Sequence, residues 1–389
     1  MQSVAQFYFL AHSAISLIGA ILLLAIYHNI RRRFRAQIGD EGSHSRVDRG
    51  LLYLSFALFT WVVAGIVGFF HAISDSPWAV SPMIVTNLFS VFNNAFFLIA
   101  LYYFDNAPAF IFRNKRNRWL LLCLVLLVAV LSLVLSDTTM AVSGSKIRIH
   151  TLPDFLFSFF LSIVLAYTLY KTFLVRGLRV VAAISILVIS GLLASQIPEF
   201  YGNGGKESTY FLLKLISKTS LIGLFLVLAT SWVIELANTP KPAEIRLHFT
   251  DWSRIVLSIP SKSIESVEID FGAKTTQFKN LLRFAIRRKY GKGDEQFISV
   301  SQGGEIKSQA YVSRIPDNIN EILQLKGDSK LDRKDLFTFL GEGKYRLRLL
   351  PDAIEMEETL LNEFLHHSEN QVYTSIVTNC NSVTEKDKG

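Results

Sequence analysis

The chain has 389 residues, 50% of them apolar and only 19% charged, with 30 Phe and 13 Tyr and a mean hydropathy of +0.34. A soluble globular protein of this size rarely carries that balance, so membrane-spanning segments are the first expectation. The formal net charge is +8. The two cysteines, Cys123 in an apolar run and Cys380 in a polar tail, supply neither a disulfide framework nor a Cys-based metal centre.

Seven stretches are long enough to cross a hydrocarbon core of about 30 Å, which takes about 20 apolar residues. They run over 7–27, 51–73, 84–104, 119–136, 155–175, 178–198 and 209–236. The first is not read as a cleaved signal peptide, because it lacks a basic leading region and is followed by "RRRFR". Basic residues then set the orientation. Arg31, Arg32, Arg33, Arg35, Arg46 and Arg49 follow the first span, Arg113, Lys115, Arg116 and Arg118 the third, and Arg176 and Arg179 the fifth. The alternate loops hold only Lys146, Arg148 and Lys206. An outside N-terminus and a cytoplasmic region from about residue 237 onward are therefore expected, in the plasma (inner) membrane of a bacterial-type cell.

Charged side chains within a span cost at least a few kcal/mol and are functional suspects. Lys214 and Lys218, four apart in "YFLLKLISKTSLIG", share a helix face. Asn93 and Asn94 of the third span lie at a similar depth, and Glu199 closes the outer end of the sixth. These five residues form a candidate pocket for a small anionic ligand. The bland alternative has Lys214 snorkelling to the interface and Lys218 satisfied by neighbouring helices. Seven spans with a lysine in the last also resemble the rhodopsin arrangement, but the third span has no interior carboxylate to serve as counterion. Trp61, Phe69, Phe70 and Trp78 read as interfacial belts and packing.

At "LANTPKPAEIRLHF" the composition changes, with Thr239, Pro240 and Pro242 marking a linker over 237–243. A small α+β domain is expected over 244–350. "AEIRLHF", "SRIVLSI" and "SVEIDFG" read as strands. "TTQFKNLLRFAIRRKYGKG" is helical, with Phe278, Leu281, Leu282, Ala285 and Ile286 on one face. Thr275 or Thr276 is expected to cap it, Arg287, Arg288 and Lys289 to suit its C-terminal dipole, and Gly291 to end it. "FISVS" is extended, and "GEIKSQAYVSR" is a helix that Pro316 should stop or kink. "KDLFTFLGEGKYRLRLL" gives strand, turn, strand.

That order resembles a winged helix of the response-regulator output type. "QAYVSRI" is similar to the recognition helix of that family, and "LGEGKYRLRL" resembles its closing wing. The resemblance covers roughly 265–350 and implies DNA binding. Between 271 and 350 there are 16 Lys plus Arg against 9 Asp plus Glu, a positive excess of the kind phosphate binding uses. Gln309, Ser313 and Arg314 are the candidates for the major groove, and Lys307 for a phosphate. Lys344, Arg346 and Arg348 alternate along the wing and would reach the backbone or minor groove. A solvated face that binds another protein is the competing reading of the same residues.

From 351 the chain turns acidic. Ile354, Leu361, Phe364 and Leu365 fit one helical stripe, and the last residues are expected to be disordered. His366 and His367 read as solvent-facing. No phosphate-binding loop, zinc-protease motif or nucleophile elbow occurs, so no catalytic residue, metal or cofactor is called for. The expected whole is seven transmembrane helices followed by a winged-helix-like domain. It would be a membrane-integrated, non-enzymatic sensor and transcriptional regulator, acting through lipid bilayer, DNA, a small ligand and self-association. A gated effector or channel, and a transporter with a regulatory tail, are the rivals.

Overall fold

The computed structural model describes residues 2–36, 38, 46–73, 82–104, 106–112, 115–135, 139–142, 145–148, 152–196, 207–341, 343–367 and 370–386. They are mostly helical and fall into two units, Met1–Arg33 with Arg46–Val233, and Phe34–Ser45 with Ile234–Gly389.

The first unit is a helical bundle. It comprises α1 (Gln2–Arg33), α2 (Val47–Ile73), α3 (Pro82–Tyr102), the short α4 (Ala109–Phe112), α5 (Lys115–Val134), α6 (Leu152–Val175) and α7 (Arg179–Ala194), and most of α8 (Glu207–Asn238). Four helices, Val4–Arg33, Val47–Ile73, Leu152–Val175 and Thr209–Asn238, are long and apolar enough to cross a membrane, and Leu88–Tyr102, Trp119–Leu131 and Arg179–Ala194 are shorter apolar helices. Ile18, Leu126, Val180 and Leu187 are exposed, as helices apolar all round require when lipid is the solvent. A short antiparallel hairpin, β1 (Thr139–Val142) with β2 (Ser145–Arg148), precedes α6; the loop had no strand expectation.

Small residues set the helix spacing. A Cβ on Gly65 of α2 would stand 3.1 Å from the Phe9 carbonyl oxygen of α1. The two backbones therefore approach as only a missing side chain permits. Ser55 Oγ donates to Ala20 O at 2.9 Å and Ser13 Oγ to Val62 O at 3.3 Å, so the same interface pairs its buried hydroxyls across helices. At the start of α2, Arg46 grips Asp48 with two 2.8 Å bonds, both side chains buried.

The second unit contains a four-stranded sheet in the order β5 (Ile264–Asp270), β4 (Arg254–Ile259), β3 (Arg246–Phe249), β9 (Ile354–Met356). The first three strands are antiparallel neighbours, whereas β9 runs parallel to β3 with Leu247 opposite Ile354. A second sheet has the order β6 (Ile298–Ser299), β8 (Lys344–Leu347), β7 (Phe337–Gly341). Between β5 and β6 in sequence lies α9 (Thr275–Tyr290), whose Phe278, Leu281, Leu282, Ala285 and Ile286 are all buried, as their helical spacing predicts. Phe278 meets Phe249 and Phe271 edge-on at 5.7 and 5.9 Å.

Several local expectations are corrected. The N-cap of α9 is Lys274, with no side-chain cap, and Thr275 is already helical. Pro316 does not stop its helix: α10 (Gln309–Ile322) runs through it. A proline in a helix interior costs about 3 kcal/mol. Here Val312, Ile315, Pro316 and Ile319 are all buried together, and that burial offsets the lost hydrogen bond. Ile354 belongs to β9 rather than to a helical stripe, and α12 (Glu358–His366) carries the buried Leu360 and Phe364. In the tail whose last residues are expected to be disordered, 387–389 lie outside the described residues and Gln371–Lys386 form α13. Its Tyr373, Ile376 and Val377 are buried, and Tyr373 meets Phe364 at 5.4 Å. Those three apolar residues recur at helical spacing in a polar segment, which average composition hides.

The loop after α10 is clamped by one side chain. Asn320 Nδ2 donates to Leu331 O, and Leu331 N donates to Asn320 Oδ1, each at 2.7 Å and buried. Replacing Asn320 by Ala strands both main-chain groups and is expected to cost about 2–4 kcal/mol, one to two orphaned groups' worth. Loss of hydrogen-exchange protection at the Leu331 amide in the full chain checks this. Unchanged protection would remove the clamp from the account.

Candidate functional site: a polar cavity in the bundle

Three helices deliver polar side chains to one place inside the bundle. The four-residue spacing of Lys214 and Lys218 puts both on one face of α8. Helix α3 contributes Ser90, Asn93 and Asn94, and α6 contributes Asp154 from its first turn. All six line a cavity of about 290 Å³, near the lower end of the range for small-molecule sites. Aromatic and aliphatic groups, Trp61, Phe97, Leu161 and Leu221 among them, complete its wall. The cavity lies toward the start of α6. The basic pair Arg176 and Arg179 follows the other end, 24 residues and about 36 Å along the helix.

The polar groups hold one another. Ser90 Oγ donates to Asp154 Oδ1 at 2.7 Å, and Asn94 Nδ2 reaches the same oxygen at 3.5 Å. On α7's side, Gln196 Nε2 donates to Ser158 Oγ at 3.1 Å. Lys214 Nζ donates to Tyr210 Oη at 3.0 Å and lies 5.4 Å from the centre of that ring. Lys218 Nζ stands 3.2 Å from His12 Nε2 and 4.8 Å from the centre of the Trp61 ring. With the ammonium as donor, His12 Nε2 is the acceptor and its Nδ1–H faces Ser16 Oγ at 3.4 Å. Oδ1 of Asn93 is buried and meets no donor among the described residues.

The sequence expectation thus finds four of its five pocket residues, Lys214, Lys218, Asn93 and Asn94, on one cavity; Glu199 lies outside the described residues. Trp61, read as interfacial or packing, is 8% exposed and faces Lys218, so it packs as part of the cavity wall; Trp78 lies outside the described residues. The carboxylate was missed. Asp154 falls one residue before the expected span 155–175, where a charge reads as an ordinary boundary; it is the third residue of α6, in the first turn, where the helix dipole favours an anion. His12 in "LAHSAI" was a legible signal, a lone imidazole in an apolar run.

The expected nucleic-acid residues lie in the second unit. Lys307, Gln309, Arg314 and Lys344 are exposed and Ser313 is half-buried. Val300 forms a bridge to Ile306 and its N–H donates to Gly343 O at 2.7 Å, so the lead into α10 and the turn of the β7–β8 hairpin lie together. The other two basic residues of the hairpin turn inward. Arg346 lies over the Phe297 ring at 5.6 Å. Arg348 is buried, donates to Lys334 O at 2.7 Å, and is lowered by desolvation to about 10, with the Asp335 carboxylate opposing that shift. Between α10 and the hairpin, the described α-helical structure is a single turn, α11 (Arg333–Leu336). His366 and His367 are exposed, and no group of three or more metal-ligating side chains occurs among the described residues.

Fold and site together describe a helical membrane bundle with an internal charged cavity, joined to a small α+β domain. Comparison with protein-family models, with curated proteins and with solved structures finds no match for this chain.

Asp154 is expected to be the keystone of the cavity. Asp154→Leu deprives Ser90 and Asn94 of their acceptor and removes the negative charge from a cavity that Lys214 and Lys218 also line, a loss of about 1–3 kcal/mol. Adding Lys218→Met is expected to restore part of it. Thermal unfolding of the two variants in detergent micelles decides; strictly additive losses would show that the two charges do not interact.

Proposed function

We propose that this chain is a membrane receptor for a small anion. Seven helices would cross the bilayer with the N-terminus outside, and the C-terminal α+β domain would lie in the cytoplasm as the output element. The carrying observation is the convergence of Lys214, Lys218, Asp154, Asn93 and Asn94 on one cavity. Buried charges in a bundle are expensive to keep, and a ligand is what makes such a cluster useful. The topology is supported by the arginine-rich loops, which alternate with nearly uncharged ones.

A ligand acts by binding one conformation of the bundle better than another. The continuous helix α8 carries two of the cavity's lysines and runs on to Asn238, so it is the covalent route from the cavity to the domain. A DNA-reading output is a second reading. It is favoured by the exposed Lys307, Gln309 and Arg314 beside a hairpin whose Lys344 is also exposed. Between α9 and α10 the described residues hold a short 3-10 turn, Gly293–Gln296, and strand β6, where a helix-turn-helix would place its first helix ahead of the recognition helix, and this favours an output that recognises protein instead.

The test uses the full chain in lipid nanodiscs. Small monocarboxylates are expected to raise its thermal midpoint, and the Lys214→Met/Lys218→Met double variant to lose that rise while remaining folded. Reporter fusions complete it, a fluorescent protein after residue 386 lighting up inside the cell and a periplasmic phosphatase there staying silent. The opposite reporter pattern, or equal stabilisation of the double variant, sinks the receptor reading. Salt-sensitive binding of duplex DNA by the full chain, lost in Arg314→Ala, would select the DNA output.

A further inference from the structure

Resting on the reading of α8 as the route from the cavity to the output, we infer that the Glu235–Lys334 ion pair is the joint through which α8 acts on the β7–β8 hairpin. Glu235 stands in the last turn of α8, and Lys334 in the single turn α11 directly ahead of β7. That last turn belongs to the second unit, which takes in the chain from Ile234 onward, so the pair is a contact within one unit.

Lys334 is held at two points. Its Nζ meets Glu235 Oε1 at 2.5 Å, and its main-chain carbonyl accepts from Arg348 Nη1 at 2.7 Å. The Arg348 N–H donates in turn to Leu336 O at 2.8 Å, and Phe337 faces Leu347 in the first rung of the hairpin. The residue that α8 grips therefore sits at the base of both hairpin strands. Lys344, at the other end of β8, is exposed. A paired ladder moves as a unit, so a shift at its base is carried to its tip.

The inner side of α11 is tied to the domain itself. Asp335 is buried, accepts from Asp332 N at 2.8 Å and lies 3.7 Å from the Nζ of the buried Lys262. Lys262 ends the turn between β4 and β5 and also donates to Lys330 O at 3.3 Å. A buried pair of this kind is costly to break. Glu235 and Lys334, by contrast, keep 31% and 41% of their side chains exposed, and a pair that exposed is weak. The outer contact can exchange while the inner one holds. A cavity of about 270 Å³ gives that exchange both room and alternatives, because Lys330 and Asp332 line it together with Glu235 and Lys334. Two arrangements close in energy are what a switching element requires.

Hydrogen exchange of residues 337–349, followed by mass spectrometry in the full chain in nanodiscs, tests the joint. Glu235→Gln is expected to speed exchange there about threefold, the worth of a partly exposed ion pair. Lys334→Met is expected to do the same, and the double variant to be no faster than either single one. Glu321→Gln, which breaks the exposed Lys274–Glu321 pair, is expected to leave the segment unchanged. Lys218→Met, at the cavity end of α8, is expected to shift exchange of the hairpin in the wild-type background and not beside Glu235→Gln. Should Lys334→Met fail to fold, Glu235→Gln with and without Lys218→Met decides. Unchanged exchange in Glu235→Gln, strictly additive single effects, or a Lys218→Met effect that survives Glu235→Gln overturns the joint and leaves the receptor reading in place. If Glu235→Gln acts but Lys218→Met reaches the hairpin in neither background, the pair is a local brace, and the route along α8 falls with this inference.

Discussion

A hydrocarbon slab offers a polar group no partner, so everything polar inside the bundle must be answered from within it. This constraint explains the fine structure of the helix contacts. Ser55 and Ser13 bond across the α1–α2 interface to carbonyls that a missing side chain brings near. Arg46 and Asp48 are buried only as a two-bond pair. The cavity is where the same rule is least completely obeyed. One amide oxygen there, Oδ1 of Asn93, is unanswered among the described residues.

Outside the bundle the solvent changes and so does the use of charge. Several basic side chains of the α+β domain serve as internal struts. Arg288 Nε donates to Leu349 O and Lys289 Nζ to Ile354 O, both at 2.7 Å, while Arg348 ties down Lys334 O. Arg287 pairs with Glu305 at 2.8 Å. A count of Lys and Arg over this region therefore overstates the charge available to a phosphate backbone, because part of it is spent on carbonyls of the domain itself. Burial of Arg346 and Arg348 lowers both guanidinium groups from their usual range.

Much of this was legible from residue order, for identifiable reasons. Long apolar runs and the alternation of arginine-rich loops need no tertiary information, and neither does the α9 stripe or the β7–β8 hairpin with its two glycines. The pair Lys214 and Lys218 was visible because a charge in an apolar helix has few innocent explanations. What stayed hidden depends on partners distant in sequence. Asp154 acquires its meaning from Ser90 and Asn94, some sixty residues earlier, and Trp61 from Lys218. The direction in which Arg346 and Arg348 point was set by Phe297 and Lys334, not by their own alternation. Pro316 misled because a local rule was overridden by burial, and α13 because three apolar residues in a polar tail were enough.

One consequence follows from the parallel pairing of β9 with β3. Leu247 lies next to Ile354, so the first strand of the domain waits for a neighbour made about a hundred residues later, a pairing of the slow, long-range kind. During synthesis the bundle segments emerge first, while the domain's sheet remains open along one side of β3 until its final strand leaves the ribosome. An unpaired strand edge of that sort invites association with other chains. β9 is thus the strand that closes this side of β3.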